Sequence, residues 1–213
     1  MTTVSTGARL EVENTVGTSY AITALTKANP GVATSVGHGL SNGDTVKIAV
    51  SSGMRQLDGQ VCRVANITVD TFELENVNTT NFSDWESGGG TFQEVTAWYT
   101  VSPATDVDVS NASPTELDAS TLLDEVGRTI YGRAGAKSGS VAIQDDPLVS
   151  AVQKLESASQ SDLLAFRITW SNGSLKLFGA YTAYDGGFNA QGNSIVTGSF
   201  PISVPAKIVS YAS

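Results

Sequence analysis

His38 and Cys62 are the only histidine and the only cysteine in a chain of 213 residues, which narrows the available chemistry at once. A Cys/His zinc site, a disulfide framework and a CxxC redox motif each need more of these side chains than exist here. Any Ser-His-Asp arrangement would have to use His38, which lies in the turn Gly37-His38-Gly39-Leu40, and no GxSxG elbow supplies a nucleophile. Cys62 sits in an alternating apolar run and reads as a small buried hydrophobe. Asp145 and Asp146 could bind a divalent cation or work as an acid/base pair, but their position just before Pro147 is explained by helix capping. Glu73 and Glu75 share a strand face and read as solvated rim charges. Ser87-Gly88-Gly89-Gly90 runs into strand-like Thr91-Phe92, so it is a turn and not a phosphate cradle. Trp85, Trp98 and Trp170 could form a sugar platform with the six tyrosines, yet their scatter suits core and strand packing better. No catalytic residue, metal or cofactor is expected.

The elements that would position such residues are short. Hydrophobic residues make up 40% of the chain and charged residues 15%, with 21 glycines, and turn residues punctuate alternating runs from end to end. This predicts a mainly β protein of sandwich or barrel type. Ala8, Leu10 and Val12 alternate with Arg9, Glu11 and Glu13, the pattern of a strand with one apolar and one solvated face. Residues 22–96 form a candidate small all-β domain, with turns at Asn29-Pro30-Gly31, Gly37-His38-Gly39, Asn42-Gly43-Asp44 and Ser51-Ser52-Gly53. Its strands carry Val46, Ile48 and Val50, then Cys62 and Val64, then Phe72 and Leu74. Residues 1–21 and 97–213 make a discontinuous second domain around it.

From Pro103 to Glu125 the chain is acidic, with Asp106, Asp108, Glu116, Asp118, Asp124 and Glu125 and neither Lys nor Arg, which predicts an exposed loop. One helix is expected from Pro147 at its first position, with Asp146 as N-cap, burying Leu148, Val149, Val152, Leu155 and Ala158. Asn172-Gly173 between alternating runs predicts a two-residue type I′ hairpin that sets Trp170 opposite Leu175, Ile168 opposite Leu177 and Leu164 opposite Tyr181. Its other face would then carry Arg167, Thr169 and Lys176. Pro201 interrupts the donors of the last strand and predicts a sheet edge, a place where another copy could dock.

The net charge of −9 is the wrong sign for gripping nucleic acid and the right one for letting it pass. The start Met1-Thr2-Thr3-Val4-Ser5 lacks the basic and apolar regions of a signal peptide, and no apolar run approaches the roughly 20 residues of a spanning helix. A soluble protein made in the cytoplasm, with no membrane partner, is expected.

The carboxy-terminal layout comprises a β segment at Ser140 to Gln144, the helix from Pro147, the hairpin at Asn172-Gly173 and a final strand around Gly198-Ser199-Phe200-Pro201-Ile202. It resembles the major tail tube protein of long, non-contractile-tailed bacteriophages, over Gly7 to about Tyr20 and Glu94 to the end. The middle is similar to a small β module of phage tail and other virion proteins, in Ala33-Thr34, His38-Gly39-Leu40-Ser41-Asn42-Gly43-Asp44-Thr45-Val46, Leu57-Asp58-Gly59, Val64-Ala65-Asn66 and Asp70-Thr71-Phe72-Glu73-Leu74. That module is in turn similar to a half-domain of ubiquitin-activating enzymes that does not hold their active thiol, so Cys62 inherits nothing from it.

The resemblance implies a structural virion protein: hexameric rings stacked into a tail tube, whose inner sheets join into one barrel through which double-stranded DNA is ejected without sticking. It also implies contacts with the tape measure, tail terminator and distal tail proteins, with the 22–96 module on the exterior. On this view Arg167, Thr169 and Lys176 face the lumen. Ring or stacking contacts fall to Thr2, Thr3, Val4 and Ser5 in the amino-terminal arm, to Asp106 and Asp108, to Pro201, and to Tyr211 in the tail after Pro205. The alternative is a virion adhesin or baseplate-type module that binds a surface glycan through Trp85 or Trp98; a tail terminator or neck protein of the same fold is a further one.

Overall fold

The computed structural model describes residues 7–101, 104–110, 113–121, 125–146 and 148–212. Thr2, Thr3, Val4, Ser5 and Pro147 therefore lie outside the described residues. The chain is mostly β: a long curled sheet with the character of a half-barrel, flanked by one helix.

The first strand, β1 (Arg9–Val16), is followed by six short ones: β2 (Tyr20–Ile22), β3 (Ala24–Leu25), β4 (Gly31–Thr34), β5 (Thr45–Val50), β6 (Val61–Ala65) and β7 (Thr71–Leu74). The long β8 (Gly90–Thr100) pairs with β5 and β2 through its first half and with β1 through its second. Pairings run β8-β5-β6-β7-β4-β3, and β3 continues from β2, which returns to β8. The circuit is thus closed. Alternation turns Val46, Ile48 and Val50, Cys62 and Val64, and Phe72 and Leu74 inward as expected, around an edge-to-face Phe72–Phe92 contact at 4.9 Å. Residue 96 falls inside β8, and Ala165, Leu177, Val209 and Tyr211 from the rest of the chain complete this core.

The second half comprises β9 (Ala104–Ser110), β10 (Pro114–Asp118), β11 (Thr129–Ala134), β12 (Lys137–Gln144), α1 (Ser150–Ser157), β13 (Leu163–Thr169), β14 (Leu175–Thr182), β15 (Phe188–Asn189), β16 (Thr197–Val204) and β17 (Val209–Tyr211). The sheet continues from β8 as β1-β13-β14-β16-β12-β9 and curls around a second core that includes Val12, Val141, Ile143, Phe166, Phe178, Phe200 and Ile202. Helix α1 covers this core with Ala151, Val152 and Leu155.

Several elements depart from their sequence expectations, each for a local reason. The acidic stretch is not a loop: β9 pairs along β12, and β10 and β11 form a two-stranded sheet of their own. The helix starts three residues late, with Val149 at its N-cap and Leu148 exposed; Asp146 instead accepts the Leu148 amide at 3.0 Å, closing a tight turn ahead of it. β16 is not the edge, since β12 pairs along its full length and β15 and β14 occupy parts of its other side. Pro201 sits where neither of those two pairs.

The hairpin is shifted by one residue: Thr169 faces Leu175, Ile168 faces Lys176, Arg167 faces Leu177 and Leu163 faces Tyr181. The Gly173 amide bonds to the Trp170 carbonyl and the Trp170 amide to the Ser174 carbonyl, with only Gly173 at positive φ, +82°. That is a three-residue loop with a glycine bulge, where type I′ would need positive φ at Asn172 as well. Asn172 Oδ1 instead accepts from both the amide and the hydroxyl of Ser174.

The hairpin is also walled in on both sides. Phe166 and Phe178 stack at 5.6 Å towards the half-barrel core, while Ala165 and Leu177 pack into the small barrel.

Candidate assembly surface

Two surfaces of the half-barrel combine geometry with charge. The first is its open end. β9 is the last strand of the sheet, paired with β12 on one side and with no strand on the other among the described residues. Val107 and Val109 turn toward the core, and Asp106 and Asp108 turn out. Register aligns Asp108 with Ser140 and Pro201, Asp106 with Ala142 and Ser199, and Ser110 with Ser138 and Ser203. This outward face therefore consists of small hydroxyl, alanine and proline side chains with two carboxylates at its border, and the rows named hold no base. Carboxylates on an edge strand also keep it from pairing indiscriminately.

Close backbone contact holds the edge in place. A Cβ built on Gly139 would meet the Asp108 carbonyl oxygen. Gly139→Ala should therefore push β9 off β12, cost about 1–3 kcal/mol and speed amide hydrogen exchange over residues 104–110 ahead of the other strands; unchanged exchange there would contradict the contact.

The second surface lies between the two cores. Glu11 and Glu13, expected in solvent, are 6% and 3% exposed. Each has a specific partner. Arg167 donates to Glu11 at 2.7 Å while its guanidinium lies 4.6 Å from the centre of the Trp98 ring. Lys47 of β5 donates to Glu13 at 2.8 Å, and the other oxygen of Glu13 accepts the Ala165 amide at 3.0 Å. Alternating carboxylates on a strand look the same whether water or a cation awaits them, so only the arrangement of the distant Lys47 and Arg167 could have disclosed this burial.

The remaining candidates are dispersed. Arg167 and Thr169 share one face of the hairpin and Lys176 lies on the other beside Ile168, so the three do not form a common wall. Tyr211 is 3% exposed and cannot serve as a surface contact in this state: its hydroxyl accepts the Arg63 amide at 2.8 Å and donates to the Glu75 carbonyl at 3.2 Å. The carboxy-terminal segment is thus built in, with β17 paired to β14. Glu75 is held by a two-bond contact from Arg63, and Glu73 accepts from Asn66. Asp145 and Asp146 are separately engaged, by the Tyr184 hydroxyl and by the Leu148 amide. His38 is buried edge-on to Phe72, its Nδ1 accepting the Leu40 amide. Trp98 is covered by Arg167 and Trp85 packs against the small-barrel core.

Among the described residues no group of three or more His, Cys, Asp or Glu could hold a metal ion, and no helix is long and apolar enough to cross a membrane. Burial, with Glu75 nearby, pushes the Cys62 thiol up to about 12. A disulfide reagent at neutral pH should accordingly label Cys62 only as fast as the chain unfolds; prompt stoichiometric labelling of the folded protein would contradict its enclosure.

Residues 52–213, well over half of the chain, match the family model described as phage tail tube protein, TTP. No curated protein matches the chain.

Proposed function

The chain belongs to the phage tail tube protein family, with a tail-tube-type structural role, and from that premise we propose that it assembles as stacked hexameric rings into a conduit for double-stranded DNA. The observation that carries this reading is the edge of β9, unpaired among the described residues, at the end of a curled sheet. An edge of this kind is satisfied without a new partner type when the next copy supplies the adjoining strand and the ring closes. Asp106, Asp108 and the backbone of β9 are then ring contacts, and Pro201 lies on the same outward face.

That face, borne by β9, β12 and β16, is the wall offered to DNA. It replaces the grouping of Arg167, Thr169 and Lys176, which the hairpin's register divides between two faces. DNA carries one negative charge per roughly 1.7 Å of axis, and basic walls would hold it through counterion release. Serine hydroxyls and sparse carboxylates leave it mobile. The small barrel of residues 22–96 sits outside, the arm of Thr2, Thr3, Val4 and Ser5 contributes to stacking, and the tape measure, tail terminator and distal tail proteins are the heterologous partners. The protein accordingly resides in the virion tail.

Electron microscopy of the purified protein at rising concentration tests this reading. Stacked rings or tubes are expected, with backbone density bridging β9 to its neighbour. Monomers at every concentration, or rings whose subunits touch through side chains alone, would refute it.

A further inference from the structure

The carboxylate of Glu11 is only half engaged. One oxygen accepts from Arg167 Nε at 2.7 Å, and the Arg167 guanidinium is itself steadied 4.6 Å from the centre of the Trp98 ring. The other oxygen accepts no hydrogen bond among the described residues. Arg9 stands 3.9 Å from it, beyond bonding reach, with a side chain 64% exposed. The Glu11 side chain is only 7% exposed, and it borders an open cleft of about 440 Å³. A nearly buried acceptor left unmatched is unfavourable unless water or a ligand supplies the donor.

Strand register assembles the cleft around that oxygen. Arg9 pairs with Thr169 and Glu11 with Arg167, and directly opposed residues share a face, so these four side chains lie together on one side of β1 and β13. Thr169 is opposed in turn by Leu175, which lines the same cleft with Trp170. The volume is of the size of small-molecule sites, roughly 300–1,000 Å³.

Charge decides what fits there. Arg167 is already paired with Glu11, so a cation approaching the free oxygen would meet Arg9, and an anion approaching Arg9 would meet Glu11. A neutral group with a donor beside an acceptor satisfies both. Two adjacent hydroxyls have this form: one donates to Glu11 while its neighbour accepts from Arg9, and each bond has a charged member, which strengthens it. A hydroxyl also reproduces what water would do at the same oxygen. The Thr169 hydroxyl adds a further partner, and Leu175 adds apolar contact for ring carbons.

We propose that this cleft binds a saccharide through a vicinal diol, with Glu11 as acceptor, Arg9 as donor and Arg167 as the residue that positions Glu11. The inference stands apart from the assembly proposed above.

Ligand-observed saturation-transfer NMR on the full chain, which works on single subunits and on assemblies alike, tests it with methyl α-D-galactopyranoside and methyl α-D-mannopyranoside. At least one should bind saturably, with a Kd on the order of 1–10 mM. Tetrahydropyran-2-methanol, a similar ring without a vicinal diol, should not bind. Arg9→Ala should weaken the glycoside about tenfold or more. Glu11→Gln should do the same, because its amide oxygen still accepts from Arg167 while its amide nitrogen takes the place of the free acceptor. Both variants are first shown to melt as the wild type does; should Glu11→Gln be destabilised, Arg9→Ala alters only an exposed side chain and carries the test alone. No saturable binding of either glycoside, or wild-type affinity in a folded variant, would overturn the proposal. Binding of inorganic phosphate that Arg9→Ala removes and Glu11→Gln strengthens would make the cleft an anion site instead. None of these results bears on whether the chain forms tubes.

Discussion

Glu13→Ala is expected to cost about 3–5 kcal/mol and to lower the melting temperature by on the order of 10 °C, because it strands one charge and one amide in the seam between the two cores. Glu13 is 3% exposed and holds Lys47 Nζ and the Ala165 amide at once. Lys47 also donates to the Leu163 carbonyl at 3.3 Å and has a side chain only 16% exposed, so the lysine cannot simply turn to water once its partner is gone. The pair is a registration device more than a source of net stability: desolvating both ions costs nearly as much as their attraction returns. Glu13→Leu combined with Lys47→Met should therefore recover most of the loss, apart from the Ala165 amide, left without its acceptor at about 1–3 kcal/mol. Thermal unfolding of the single and double variants measures both quantities. A single Glu13→Ala variant that melts within about a degree of wild type would show that the seam admits water.

This seam marks the boundary of what the sequence makes legible. Alternation located Leu10 and Val12 and the Val46 to Val50 strand, because an apolar side chain on a strand has one favourable destination. It misplaced Glu11 and Glu13. A carboxylate has two destinations, water or a buried cation, and the choice depends on side chains more than thirty residues away. The same limit applies to the hairpin. Asn172-Gly173 marked the turn correctly, but the loop length was decided by one backbone torsion at Asn172, and one residue of slip transferred Lys176 to the opposite face from Arg167. That slip alone divides Arg167 and Thr169 from Lys176, between two faces.

Edges are harder still, because an edge is defined by what is missing. Pro201 gave a local reason to place one at β16, yet a strand may carry proline in a gap between two partial neighbours. The true edge, β9, was concealed in the acidic stretch, where Asp106, Asp108 and Ser110 looked like loop residues because the half-barrel buries only one side of the strand. Val107 and Val109 were the available signal: they alternate with those polar residues at a period of two and project toward the second core.

Tyr211→Ala should destabilise the protein by about 3–5 kcal/mol, as large aromatic truncations in a core do. Three links fail together. The ring fills the small-barrel core beside Leu177 and Val209, the Arg63 guanidinium lies 4.0 Å from its centre, and its hydroxyl bridges the Arg63 amide and the Glu75 carbonyl. Burial also raises the pKa of this phenol, first by desolvation and then through Cys62, so it stays protonated and able to donate over the ordinary pH range. Tyr211→Phe separates the contributions: it keeps the ring and removes the acceptor of the Arg63 amide, for a cost of about 1–3 kcal/mol. The spatial pattern is more telling than the total. β17 ties β14 to the small barrel, with Gln60 Nε2 bonding to the Lys207 carbonyl and Asn76 Nδ2 to the Ser210 carbonyl along the same seam. In Tyr211→Ala, amide exchange should therefore accelerate first at residues 209–211 and 61–65, where tail and barrel meet, while β12 and β16 retain their protection. Uniform acceleration across the chain would mean that the two cores unfold as one unit and that the tail is not the hinge between them.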